Sequence, residues 1–246
     1  MPLKFSLTEL PALLTGALLL GASLAHASDE QEDATLQPMK LSYNASLDKG
    51  ISLNGDARRI LEQRDDGTWH FRTDVDSFVA DIDESLIFRW EDNQVVPLRY
   101  RYKLSGLFIR DREEAIDFDW ENNVVSGHHE GDKFAMKLEK GAMDPMGYQL
   151  QLSQDIKAGK REMEYRVIDK GDYDTDKFAV VDEETVRING DDIRTLKAEK
   201  VRDSDSKRES LMWFAPERDY LLIRFLQVEP DGSEYELTIS DAKVGH

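Results

Sequence analysis

A two-residue period narrows the possible folds of this chain more than any other feature. From Leu98 to Leu104 the apolar side chains Leu98, Tyr100, Tyr102 and Leu104 alternate with Arg99, Arg101 and Lys103. Extended backbone turns successive side chains to opposite faces, so such a run buries one face and wets the other, as a half-buried β-strand does. Comparable runs occupy 41–47, 68–78, 84–91, 134–138, 163–168, 193–201, 210–214, 220–228 and 235–239. The hexapeptide from Ala115 to Trp120, AIDFDW, follows the same rule: Asp117 and Asp119 share one face, and Ile116, Phe118 and Trp120 share the other. A catalytic carboxylate pair needs an environment that drives the two pKa values apart. Here aromatic residues occupy the buried side, and the two carboxylates are expected in solvent.

Between the runs stand Asp66-Gly67, Asn122-Asn123, Asn189-Gly190 and Pro230-Asp231-Gly232, residues that tolerate positive φ in tight hairpins. The only helical window is 144–157, where Asp144-Pro145 reads as a cap with a first-turn proline and Gly159 as the stop. The expected fold is mainly β, an antiparallel meander of about a dozen strands. A sheet that wide curls, splits or closes to manage its edges, so a curved sheet, half-barrel, barrel or sandwich is expected, with the one α-helix packed on it or plugging it.

Residues 1–27 have the layout of a cleaved signal peptide: Lys4, an apolar run from Leu10 to Leu24, and the small-x-small site Ala25-His26-Ala27. Ser28-Asp29-Glu30 follows at once, which argues for release rather than stable membrane insertion. Residues 28–37 read as a flexible acidic leader and 38–246 as a single β domain. The expected address is the periplasm, in an exported protein of the Gram-negative type. The chain has no cysteine, which removes disulfides, thiolate metal sites and a Cys nucleophile. With 50 acidic against 32 basic residues the net charge of -18 repels nucleic acid, so no nucleic-acid partner is expected.

Chemistry-bearing motifs are sparse. Asp172, Asp174 and Asp176, with Glu183 at the twelfth position, echo a calcium loop, but Lys177 stands where the glycine of the sharp turn belongs and the flanks read as strand. An incidental acidic loop is the reading taken, and Asp203, Asp205 and Lys207 read as a solvated turn. His128 and His129 are sequence neighbours and would point to opposite faces of a strand, and His70 stands alone. No His-x-x-x-His, Gly-x-Ser-x-Gly or phosphate-loop pattern occurs. No cofactor, metal site or catalytic residue is expected, and the chain is read as not an enzyme. The aromatic residues are spread over most strands. Ordinary core packing is the default for each, and the alternative is the wall of an apolar cavity holding a lipid-like guest. The candidate ligand-facing set is Tyr100, Tyr102, Phe118, Trp120, Tyr148 and Trp213.

Pro97-Leu98-Arg99-Tyr100, Phe118-Asp119-Trp120, Glu184 followed by Gly190, Trp213-Phe214-Ala215-Pro216 and the Asp231-Gly232 turn resemble, in order and spacing, the bacterial exported family of domain of unknown function 3108. The resemblance covers about residues 41–241. It implies a mostly β exported protein of unsettled role, with no catalytic residues to carry over. One departure is that Tyr220-Leu221-Leu222-Ile223 runs on where the family often has a proline, which questions the edge geometry there. A looser similarity links the strand succession to periplasmic lipoprotein carriers of the half-barrel type. The functional expectation is a soluble periplasmic accessory or binding protein of the cell envelope, with a lipid or lipoprotein in an apolar concavity. The alternatives are an adaptor contacting an envelope protein, such as part of an outer-membrane secretion complex, and an uncharacterised hydrolase.

Overall fold

Fifteen strands and one α-helix succeed one another in the computed structural model, which describes residues 36–48, 52–77, 80–107 and 110–245. The predicted signal segment and the leader as far as residue 35 lie outside the described residues. The strands are β1 (Met39–Asp48), β2 (Ser52–Gln63), β3 (Trp69–Ser77), β4 (Ala80–Glu91), β5 (Gln94–Gly106), β6 (Arg112–Asp119), β7 (Val124–His129), β8 (Asp132–Lys137) and β9 (Ala142–Met143). After the helix α1 (Gly147–Lys157) come β10 (Glu162–Asp169), β11 (Asp172–Ile188), β12 (Asp191–Val201), β13 (Glu209–Ala215), β14 (Leu221–Val228) and β15 (Glu234–Val244). All fifteen form one sheet in the order β8-β7-β6-β5-β4-β3-β2-β1-β15-β14-β13-β12-β11-β10-β9. The first and last strands therefore pair with each other near its middle.

The mainly β, curved-sheet expectation holds, with two corrections to its details. The strands number fifteen rather than about a dozen, because β2, β7, β9 and β11 lack a clean apolar alternation. The meander also ends in one parallel pair, Ala142 opposite Arg166 and Met143 opposite Val167, since α1 carries the chain across between β9 and β10.

Among the forms considered, the closed barrel is not the one adopted: β8 and β9 remain edges of the sheet. Side chains bridge the gap instead. The Tyr173 hydroxyl donates to the Lys137 carbonyl at 3.0 Å and accepts from the Glu139 N–H at 2.9 Å. Arg166 donates to Glu139 at 3.1 Å, and the Lys170 N–H donates to the Glu114 carboxylate at 2.7 Å.

The turns follow their sequence chemistry. Asn123, Asn189, Gly67 and Gly232 all take positive φ where the hairpins reverse. At the start of α1 the Asp144 carboxylate accepts the backbone N–H groups of Met146 and Gly147, both at 2.9 Å, satisfying two donors that a helix start leaves orphaned. At its end Gly159, with φ of 90°, lets the Lys160 N–H return to the Asp155 carbonyl at 3.0 Å.

α1 lies between two clusters of the core. Met146 and Leu150 pack with Phe71, Leu86, Phe88 and Ile116, while Leu152 and Ile156 pack with Tyr165, Phe178, Met212 and Phe214. Burying each such side chain contributes roughly 1.5–3 kcal/mol, which makes the plugged interior the main source of stability. A third cluster joins Ile188 and Ile193 of the β11–β12 hairpin to Tyr43, Trp213, Ile223 and Ile239. Two smaller expectations change. Leu36, assigned to the flexible leader, is 5% exposed and belongs to the first cluster. The uninterrupted Leu221–Val228 strand lies between β13 and β15, so the edge geometry in question there does not arise.

The Asp117 and Asp119 pair behaves as its alternation requires. Phe118 is buried and stacks on Trp120 with ring centroids 6.2 Å apart. Asp117 accepts two bonds from Arg101 at 2.8 and 3.0 Å, and Asp119 accepts the Asn122 backbone N–H at 2.9 Å in the following turn. The Asp117 side chain is half exposed, so Asp117→Ala is expected to cost no more than about 1 kcal/mol in a urea melt. A loss several times larger would show that this carboxylate is part of the core.

Candidate functional site

β-Sheet registers place one polar row across the inner face. Arg59 on β2 faces Thr73 on β3, Thr73 faces Glu84 on β4, and Glu84 faces Tyr102 on β5. Tyr102 then faces Glu114 on β6, and Glu114 faces His129 on β7. Directly opposed residues share a face, so five successive cross-strand pairs line up polar groups in an otherwise apolar interior. Arg59, Thr73 and Glu114 are buried, and so is Asp144 at the start of α1.

Partners exist for some of these groups. The Tyr100 hydroxyl donates to Glu84 at 2.8 Å, whereas His129 Nδ1, 3.6 Å from Glu114, stands beyond hydrogen-bond length. Arg59 donates to the Gln149 amide oxygen on α1 at 2.5 Å and sits 5.6 Å from the centre of the Phe71 ring. Four buried atoms in this region have no hydrogen-bond partner: Arg59 Nε, Thr73 Oγ1, His129 Nδ1 and Asp144 Oδ2. Buried polar atoms are nearly always paired, so four orphans around one row mark a region shaped by something other than stability.

The electrostatics follow from dryness. Burial pushes the Asp144 carboxyl up to about 7, against the downward pull of its two backbone bonds, and the neighbouring Glu84 charge adds to the rise. Glu84 is itself raised, by burial first, with the Tyr100 bond opposing. Glu114 is raised by burial and then by Asp169. The Tyr100 hydroxyl is held well above its ordinary range by burial and by Glu84.

Beside the Arg59 end of the row, a crevice of about 50 Å³ opens between α1 and the strands β1, β2, β13 and β14. Its walls include Leu41, Leu61, Phe71, Leu150 and Phe214, with Arg59, Gln149 and Ser153 as polar points. Polar contacts along α1 add to its apolar packing. Gln151 accepts the Val95 N–H at 2.8 Å and donates to the Asn93 carbonyl at 3.1 Å, Ser153 donates to the Tyr220 carbonyl at 2.9 Å, and Lys157 pairs with Asp219 at 2.5 Å.

The six candidate aromatics separate. Tyr100, Tyr102, Phe118 and Trp120 pack in or against the first cluster, Tyr148 against the second, and Trp213 lies in the third. None lines the crevice. Trp120 donates its indole N–H to the Pro97 carbonyl at 2.6 Å. Trp213, one position out of phase with Met212 and Phe214, bonds Glu184 and lies under Arg224 at 4.6 Å. The crevice wall is built from Phe71, Phe214 and Tyr43, with Leu150 of α1.

Outside the barrel-like interior, His70 and His128 border an open polar depression of about 450 Å³ that also carries Arg72, Asp74, Arg101 and Glu113. His128 and His129 approach different carboxylates, Glu113 and Glu114, each at 3.6 Å, consistent with opposite faces. The acidic segment from Asp172 is the start of β11 and not a loop, and Asp176 turns inward to pair with Lys200 at 2.5 Å. No helix among the described residues is long and apolar enough to cross a membrane.

No curated protein matches this chain in sequence. Among solved structures it is similar to a β-barrel-like protein of domain of unknown function DUF1849 from Brucella abortus, with 12% identity and a TM-score of 0.57 over 85% of this chain and 98% of that one. At that identity the likeness concerns the fold. A DUF1329 family protein from Desulfovibrio piger ATCC 29098 aligns over 87% of this chain and 88% of its own, at 10% identity and a TM-score of 0.23. A candidate outer membrane lipoprotein-sorting protein domain from Vibrio parahaemolyticus aligns over 86% and 87%, at 9% identity and a TM-score of 0.22. Superpositions as loose as these two carry no argument. The model of the family described as protein of unknown function DUF3108 matches residues 41–240, and the chain belongs to that family.

Proposed function

We propose that this protein is a non-catalytic binding protein of the cell envelope, exported to the periplasm, that holds a lipid-like ligand at the crevice beneath α1. One observation carries the reading: among the described residues, an apolar-walled crevice with a few polar points opens between α1 and the strands, beside the two core clusters on which the helix packs. Ligand sites are concave and mostly apolar, with a few placed polar groups, and the crevice has that make-up. An adaptor role would use a free sheet edge. β8 does end the sheet, but it carries Asp132, Lys133 and Lys137, and Tyr173 caps the Lys137 carbonyl. Charged residues on an edge discourage strand addition, so the ligand reading is the better supported.

Native mass spectrometry of protein purified from the periplasm, with titration of a fluorescent fatty acid, tests this. The expected result is a co-purifying small amphiphile and saturable probe binding. Leu222→Trp, which fills part of the crevice wall from a half-buried position, is expected to weaken probe binding several-fold while leaving the melting temperature within a few degrees. Uniformly empty protein that also ignores the probe overturns the reading.

A further inference from the structure

We infer that the crevice receives the anionic headgroup of a single-chain amphiphile, with Arg59 as its anchor. This deepens the binding reading above and rests on it. Arg59 is 8% exposed, yet its guanidinium carries five N–H donors in a fixed fork. One nitrogen reaches the neutral Gln149 amide, Nε is buried without a partner, and among the described residues no carboxylate lies within ion-pair distance. A buried guanidinium is ordinarily paired with an anion, because water can no longer solvate it. Directly across the strand Thr73, 5% exposed, also has an unpartnered hydroxyl. Among the described residues the one carboxylate in the crevice wall, Asp219, is occupied by Lys157.

Size decides which end of the amphiphile enters. A single water needs roughly 10–15 Å³ on this measure, so a crevice of about 50 Å³ admits a carboxylate or phosphate group and not an acyl chain. The tail then lies outward, along Met39, Leu222 and Val244, which line the same crevice and are only half buried. A planar fork suits either oxyanion, and the apolar rim selects an anion that carries a hydrocarbon chain over a free one.

Calorimetric titration of the purified protein with laurate, dodecyl phosphate, dodecanol, acetate and inorganic phosphate, repeated on Arg59→Met, tests this. Laurate or dodecyl phosphate is expected to bind at least about tenfold more tightly than dodecanol, the loss that follows from one missing charge-assisted hydrogen bond. Arg59→Met is expected to erase that preference, so that laurate and dodecanol bind alike, and to melt no lower than the parent. Equal binding of laurate and dodecanol by the parent protein overturns the anion inference and leaves the lipid-binding reading standing. Acetate or phosphate binding as tightly as laurate replaces the amphiphile with a free anion. Absence of binding by every dodecyl compound removes both readings. If Arg59→Met does not fold, the laurate against dodecanol comparison on the parent protein still decides.

Discussion

Asp144→Asn is expected to flatten the pH dependence of stability. Asp144 is fully buried, with its carboxyl raised from 3.8 to about 7. A carboxyl that holds its proton more tightly when folded favours the folded state at low pH, where it is neutral in both states only below about pH 4. As pH rises from about 4 to about 7 the unfolded chain releases this proton and the folded protein does not, so stability falls through that window. The penalty reaches roughly 4 kcal/mol above pH 7. Asparagine keeps an oxygen for the Met146 and Gly147 N–H groups and has no proton to lose. Urea unfolding at pH 5 and pH 8 should show the parent protein losing about 2–4 kcal/mol relative to the variant. Glu84, raised in the same direction by burial, adds to the slope of both proteins and does not obscure the difference. Parallel pH profiles would mean that Asp144 reaches water.

The second large effect is expected from Gly127→Ala. Gly127 on β7 pairs with Ile116 on β6, and a Cβ built there would sit 1.8 Å from the Ala115 carbonyl oxygen and 2.9 Å from the Phe134 ring. The ring could turn, but the carbonyl belongs to the ladder and cannot move without parting the two strands. Overpacking of this kind costs about 3 kcal/mol or more, against about 1 kcal/mol for an ordinary surface change. The loss should appear first in β7 and β8, which lie beyond the break. Hydrogen exchange that accelerates there, before the β11–β15 half responds, is the expected pattern. A melting temperature unchanged from that of the parent protein would show that the strands are farther apart at Gly127 than the backbone indicates.

The elements with clean alternation were legible in the sequence. β5 and β6 show why: Tyr100 and Ile116 are buried on one face while Arg101 and Asp117 pair on the other. The capped helix and the hairpin turns were legible too, because Asp144, Gly159 and Asn189-Gly190 act through local backbone geometry. β2 was not, since Arg58-Arg59 and Gly55-Asp56 break the apolar period. Its inward Arg59 meets Gln149 and Phe71, 90 and 12 positions away in the chain, contacts that the local pattern does not reveal. β11 was hidden for a related reason, as its Asp176 turns inward onto Lys200. The candidate site was therefore the least legible part. It consists of polar residues on faces where alternation predicts apolar ones, and those positions become visible only once the register is known. The aromatic set follows the alternation and packs in or against the core clusters, with α1 filling much of the concavity that those rings face.

Pairing of β1 with β15 at the centre of the sheet has a consequence for biogenesis. A polypeptide emerging from its amino end offers β1 one neighbour, β2, and leaves the other rim of β1 bare until β15 arrives. Contacts between such distant positions form slowly. During that interval the unfinished molecule has an open central seam, an unpaired strand edge of the kind that invites mispairing. Trimming from Glu234 onward would consequently leave the two halves of the sheet joined through α1 and the Tyr173 contacts instead of through a central strand pair.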